Sequence, residues 1–107
     1  MVTKEKFNSF PLNKRYLIAA SDFVRAASLL KKGHKDLAHN SIDIGFGFMG
    51  YLFQDDPSLI SKFPSKEKCK EFVDNDNYME LYEIYLELMD MGGITKAKVR
   101  EAEKLSF

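Results

Sequence analysis

The chain is poor in the residues that carry most protein chemistry. Its 107 residues include one cysteine, Cys69, and two histidines, His34 and His39. A lone cysteine leaves no internal disulfide and no thiolate zinc site. The spacing supports no Ser-His-Asp or Cys-His arrangement, so no catalytic residue is assigned. There is no surplus of either charge: 16 basic side chains face 16 acidic ones. No global field therefore selects nucleic acid or membrane. The longest near-continuous apolar run, Ile44 to Phe53, is too short to span a bilayer. The opening MVTKEKFNSF lacks the apolar stretch of a signal peptide. A cytoplasmic location is the expectation. No segment alternates with period two, so no sheet is predicted. Neither an internal repeat nor a low-complexity segment is present.

What remains is helical and aromatic. Hydrophobic residues make up 45% of the chain, with nine phenylalanines and five tyrosines. That is too much apolar surface for a disordered chain and enough for one modest core. The reading is an all-α, up-and-down bundle of roughly four to five helices. It is a single domain over residues 1–107, built on a long N-terminal helical hairpin, with residues 1–10 as a loose leader that docks on the bundle through Phe7 and Phe10.

The first arm of that hairpin is PLNKRYLIAASDFVRAASLLKK. Tyr16, Ala20, Phe23, Ala27 and Leu30 share one helical face. Lys14, Arg15, Asp22, Arg25, Lys31 and Lys32 fall largely elsewhere. Asn13 reads as the N-cap, and Gly33 as the left-handed exit. The second arm runs from His34 to Phe53 and becomes apolar on nearly all sides. Its C-terminal half is expected to be buried in a bundle or a dimer. Asp55-Asp56-Pro57 closes it.

Residues 54–64 read as a connection anchored by Leu59, Ile60 and Phe63. Ser65 then caps a short helix, and Asp74-Asn75-Asp76-Asn77 breaks it. In the next helix Leu81, Ile84, Tyr85, Leu88 and Met91 form one stripe, and Glu80, Glu83, Glu87 and Asp90 another. Gly92-Gly93 stops it. Thr95 caps a last helix in which Val99, Ala102, Leu105 and Ala97 face inward. Charge is segregated along the chain. Residues 1–35 carry eight basic and two acidic groups, whereas residues 36–93 carry four basic and twelve acidic. Antiparallel contact within the chain would neutralise this, and so would self-complementary dimerisation.

Several patterns invite a functional reading. Gly45-Phe46-Gly47-Phe48-Met49-Gly50 spells a dinucleotide fingerprint, which needs a strand before it and an acid about 20 residues later. Asp36 to Asp43 is too polar for a buried strand, and Lys70 stands where the acid belongs. The glycines are instead expected inside a helix, each costing roughly 1 kcal/mol relative to alanine. Close contact with a neighbouring helix or subunit would offset that. Gly45, Phe46, Gly47, Phe48 and Gly50 are thus the candidate interface, and Gly47→Leu is expected to disrupt packing or dimerisation. Asp36, His39 and Asp43 share a face that could hold a metal or move a proton, but a solvated polar face explains them as well. Asp74 to Asn77 hints at a calcium loop, yet Met79 and Tyr85 stand where glycine and glutamate are required. The Glu80/Glu83/Glu87 stripe is either solvent-exposed or receives a basic partner. Tyr78, Tyr82 and Tyr85 mix core and rim positions. No cofactor is implied.

The stretch Arg15 to Asn40, with its alanine-rich helix, glycine turn and Leu37-Ala38 pair, resembles the opening hairpin of HEPN-type domains. The tail from Gly93 through Thr95 to Leu105 resembles their closing helix. The resemblance implies an up-and-down bundle, commonly dimeric. Many members pair with a nucleotidyltransferase, and many are RNA-cleaving toxins. The ribonuclease members carry an arginine followed, after four to six residues, by a histidine. Here Arg25 stands too far before His34 for that spacing. The resemblance therefore implies a non-catalytic member that binds a protein or small ligand. A competing likeness is to a helix-turn-helix over Leu86–Leu105. In it Lys96, Lys98, Arg100 and Lys104 would contact DNA.

Overall fold

A computed structural model describes the backbone of residues 3–106 and the side chains of residues 3–101. Among the described residues there are six α-helices: α1 (Lys4–Asn8), α2 (Leu12–Lys31), α3 (Lys35–Asp55), α4 (Lys66–Asp74), α5 (Tyr78–Met91) and α6 (Lys96–Ser106). A 3-10 turn covers Pro57–Lys62, and no strand occurs among the described residues.

Local punctuation sets most of these boundaries. Three helices end in the same way. His34 N–H donates to the Leu29 carbonyl, Asn77 N–H to Phe72 and Ile94 N–H to Met89, at 2.8–2.9 Å. Such a bond needs a left-handed residue just before it. Gly33 (φ 86°) and Gly93 (φ 92°) supply it without strain, and Asp76 (φ 58°) supplies it after α4. At the starts, Ser65 Oγ accepts from Lys68 N–H at 3.1 Å and Thr95 Oγ1 from Lys98 N–H at 3.3 Å.

The N-terminus departs from expectation. In place of a loose leader there is a short helix, with Thr3 Oγ1 accepting from Lys6 N–H. Phe7 is fully buried and stacks on Phe48 with ring centroids 5.3 Å apart. Arg15 reaches back to donate to the carbonyls of Phe10 and Asn8, both at 2.8 Å. Five residues could not hold a helix alone, so tertiary docking holds α1. Nor does Asn13 cap α2. The helix starts at Leu12 directly after Pro11, whose fixed φ of −54° presets the entry.

Helix α2 packs on both α3 and α5, α3 packs on α4, and α4 on α5. The circuit is closed, and each neighbour runs opposite to the last. Arg15 pairs with Asp55 at the far end from the Gly33 turn. His39 meets Asp74 while Asp43 meets Lys66. Lys31 lies over the Tyr78 ring, and Gly92 lies beside Leu17. This is an up-and-down bundle. Its core includes Tyr16, Ala20, Phe23, Ala27, Leu30, Ile42, Met49, Leu81, Ile84 and Leu88. Ile60 is exposed rather than an anchor, whereas Leu59 and Phe63 are buried. Helix α6 rests on α5. Val99 is buried as expected, Ala97 is exposed, and Ala102 and Leu105 lie outside the described side chains. Leu86, off the expected stripe of α5, is also buried, outside the main core cluster.

Candidate interaction surface

The charged constellations resolve into contacts between helices. The face of Asp36, His39 and Asp43 divides along the α3–α4 seam. His39 Nε2 lies 2.8 Å from Asp74 Oδ1. Asp43 receives Lys70 at 2.9 Å and Lys66 at 3.1 Å. Hydrogen bonds from Lys70 and then Lys66 hold the Asp43 carboxyl below its ordinary range. Asp36 stays exposed. Lys35 Nζ donates to the Asp74 carbonyl and pairs with Asp76, which ties the polar break to the start of α3. Among the described residues, no group of three or more His, Cys, Asp or Glu side chains is placed to hold a metal ion.

The acidic stripe of α5 has a similar fate. Glu87 receives Lys96 at 2.8 Å, and Glu83 lies 3.9 Å from Arg100. The hydrogen bond to Glu87 raises the Lys96 ammonium above its ordinary pKa. Two of the cations that a DNA-binding reading directs to phosphates therefore face carboxylates of their own chain. Lys98 is exposed, and the side chain of Lys104 lies outside those described. A hollow lined by Asp76, Asn77, Tyr78, Met79 and Glu80 measures about 180 Å³. That is smaller than the ~300 Å³ at which ligand pockets begin.

The glycine motif lies wholly inside α3. No strand precedes it, and its amides belong to the helix, so no phosphate cradle forms. The motif's residues take different places. Gly45 is buried where α3 crosses α2, and a Cβ there would fall 3.1 Å from Phe23 and 3.3 Å from Asp22 Cβ. The expected close approach of a neighbouring helix occurs at this position. Phe46 packs edge-on to Phe23 at 5.7 Å, and Phe48 stacks on Phe7. Gly47 is exposed and Gly50 half-buried, and neither has any atom within 4 Å of a Cβ built on it. Packing within the chain explains Gly45 and leaves Gly47 and Gly50 open.

The open side of the hairpin is the surface that remains. Ile44, in the half of α3 expected to be buried, is 41% exposed, and Leu37, near the start of α3, is 51% exposed. Ile18, Leu29, Phe48 and Tyr51 are half-buried. Conversely Asp22, expected on the polar side, is only 4% exposed. Its carboxylate fits because Gly45 has no side chain. Burial raises its pKa, and Arg25, with Nη1 at 3.7 Å, opposes that rise.

Comparison with protein-family models, curated proteins and solved structures finds no match to this chain. Among the described residues, no helix is long and apolar enough to cross a membrane.

Proposed function

We propose that this chain is a non-catalytic, HEPN-like association module: a cytoplasmic homodimer that docks a protein partner such as a nucleotidyltransferase. The up-and-down bundle opening on a long hairpin is the architecture such a resemblance implies. The observation that carries the reading is the outward face of α2 and α3. It keeps Leu37 and Ile44 in solvent and leaves Gly47 open, while His39, Asp43, Glu83 and Glu87 are paired within the chain. Exposed apolar side chains grouped on one face mark interaction sites. A small-ligand role has less support, since the hollow beside α5 is shallow.

Light scattering with purified chain, alone and mixed with any nucleotidyltransferase that its gene neighbourhood encodes, tests the reading. Self-association or a stable complex, weakened by Ile44→Glu, is expected. A chain that stays monomeric and binds no such protein at ~100 μM would end it; weaker complexes lie outside the range of specific interfaces of normal size.

A further inference from the structure

Helices α2, α3, α4 and α5 close a ring without α6, which is added to it by packing on α5. Leu86 is fully buried on the side of α5 away from Ile84 and Leu88, since two residues along a helix turn it by about 200°. Val99 of α6 is buried too, and neither residue belongs to the main core cluster. The apolar burial beneath α6 is thus separate from the core of the ring.

The charges around it are matched. Glu83, Leu86 and Glu87 stand on α5 at steps of three and one, and Lys96, Val99 and Arg100 stand on α6 at the same steps. The helices run antiparallel: Glu87 receives Lys96 at 2.8 Å, and Glu83 lies 3.9 Å from Arg100. Each apolar residue therefore lies between two like charges, acidic on α5 and basic on α6. All four charged side chains are roughly half exposed, so each pair is a weak tie that salt screens. The joint between the helices is firm on one side only. Gly92 lies against Leu17 and the Asn13 carbonyl, which pins the end of α5 to α2. Gly93 follows at φ 92°, and Thr95 caps α6 from within its own first turn. Helix α6 needs nothing from the ring to start, but its 11 residues are too few to persist as a helix alone in water. It docks and undocks as one unit.

We propose that α6 is a latch, which opens while the ring stays closed and uncovers on α5 a docking strip for a basic amphipathic helix of a partner protein. The strip is Leu86 with Glu83 and Glu87, and α6 itself shows what fits it: a basic residue, an aliphatic one three positions on and a second basic one next to that. Opposite charge favours such a helix and excludes an acidic one. This strip is separate from the hairpin face proposed above, and either can fail without the other.

Hydrogen exchange on the full chain tests the latch. Amides of α6 exchange at least about tenfold faster than those of α2 and α5. Raising salt from ~20 to ~500 mM speeds α6 further and leaves the ring unchanged, because screening loosens the two pairs. A fluorescein-labelled peptide of residues 94–107 serves as the basic helix. Val99→Asp holds the latch open, so this variant binds the peptide at least about tenfold more tightly than the wild type, whose own α6 competes. Adding Glu83→Lys and Glu87→Lys to that variant abolishes the binding. Equal exchange of α6 and α5 overturns the latch, and so does a Val99→Asp chain that is unfolded by circular dichroism, since α6 is then part of the core. A folded Val99→Asp chain that binds no peptide at ~1 mM, the effective concentration of a helix on a short tether, overturns the docking strip.

Discussion

Asp22 and Asp43 are carboxylates with opposite roles. Burial raises the pKa of Asp22, so the folded state favours its protonated form. The contribution of Asp22 to stability is therefore fullest below the ordinary carboxylate range and is lost as pH rises through the raised pKa. Asp22→Asn is expected to match the wild type at acid pH and exceed it at neutral pH, read by urea denaturation of dilute chain. Asp43 runs the other way. Lys70 and Lys66 lower its pKa, so its contribution is present above the ordinary carboxylate range and lost as pH falls through the lowered value. The site is well exposed, and Asp43→Asn should cost no more than ~1 kcal/mol at neutral pH. The sequence does not announce this contrast. Each is a lone acid beside apolar residues on a helix, Asp22 before Phe23 and Asp43 between Ile42 and Ile44, and only the glycine across from Asp22 encloses it.

Glycines separate the helices into tight and open contacts. A Cβ on Gly92 would fall 2.5 Å from Leu17 Cδ2 and 3.0 Å from the Asn13 carbonyl. Leu17 can move, but the backbone of α2 cannot easily do so. Gly92→Ala should lower stability by about 1–3 kcal/mol, the usual cost of overpacking. Gly47→Ala meets no atom in its own chain. It should raise the thermal stability of the monomer by up to about 1 kcal/mol and weaken any dimer that approaches there. Thermal melts at low and high protein concentration check both. Element boundaries were legible because capping and left-handed turns are local: Ser65, Thr95, Gly33 and Gly93 act through neighbours in sequence. Helix α1 was not legible. Phe7 could be read as an anchor, but the helix depends on its reaching Phe48, and periodicity cannot show a contact so distant in the chain. Ile44 was misplaced for the related reason that apolar residues all around a helix do not say which side has a partner.

On the scale of the molecule, segregated charge is matched across helix pairs: α3 with α4, α5 with α6, and the start of α2 with the end of α3. A neutral chain whose α6 cations face α5 carboxylates should bind duplex DNA or structured RNA weakly. Fluorescence anisotropy is expected to show no binding at micromolar protein and ~150 mM salt. Tight binding lost between ~50 and ~200 mM salt would instead report several phosphate contacts and favour the helix-turn-helix reading. The all-α bundle was legible from composition and period. The interaction surface was legible only in part, since the glycines mark α3 but do not say which of its faces is already filled.

The burial of Cys69 gives the protein a built-in clock. The thiol is fully enclosed among the core residues, and its pKa is pushed up to about 12 by burial. A thiol-reactive dye can label it only after the packing around α4 opens, because only the thiolate attacks and only an exposed one is met. Labelling kinetics of the unmodified chain therefore time the breathing of the closed circuit of helices. A partner seated on the outward side of α2 and α3 would slow the clock only by tightening the whole ring.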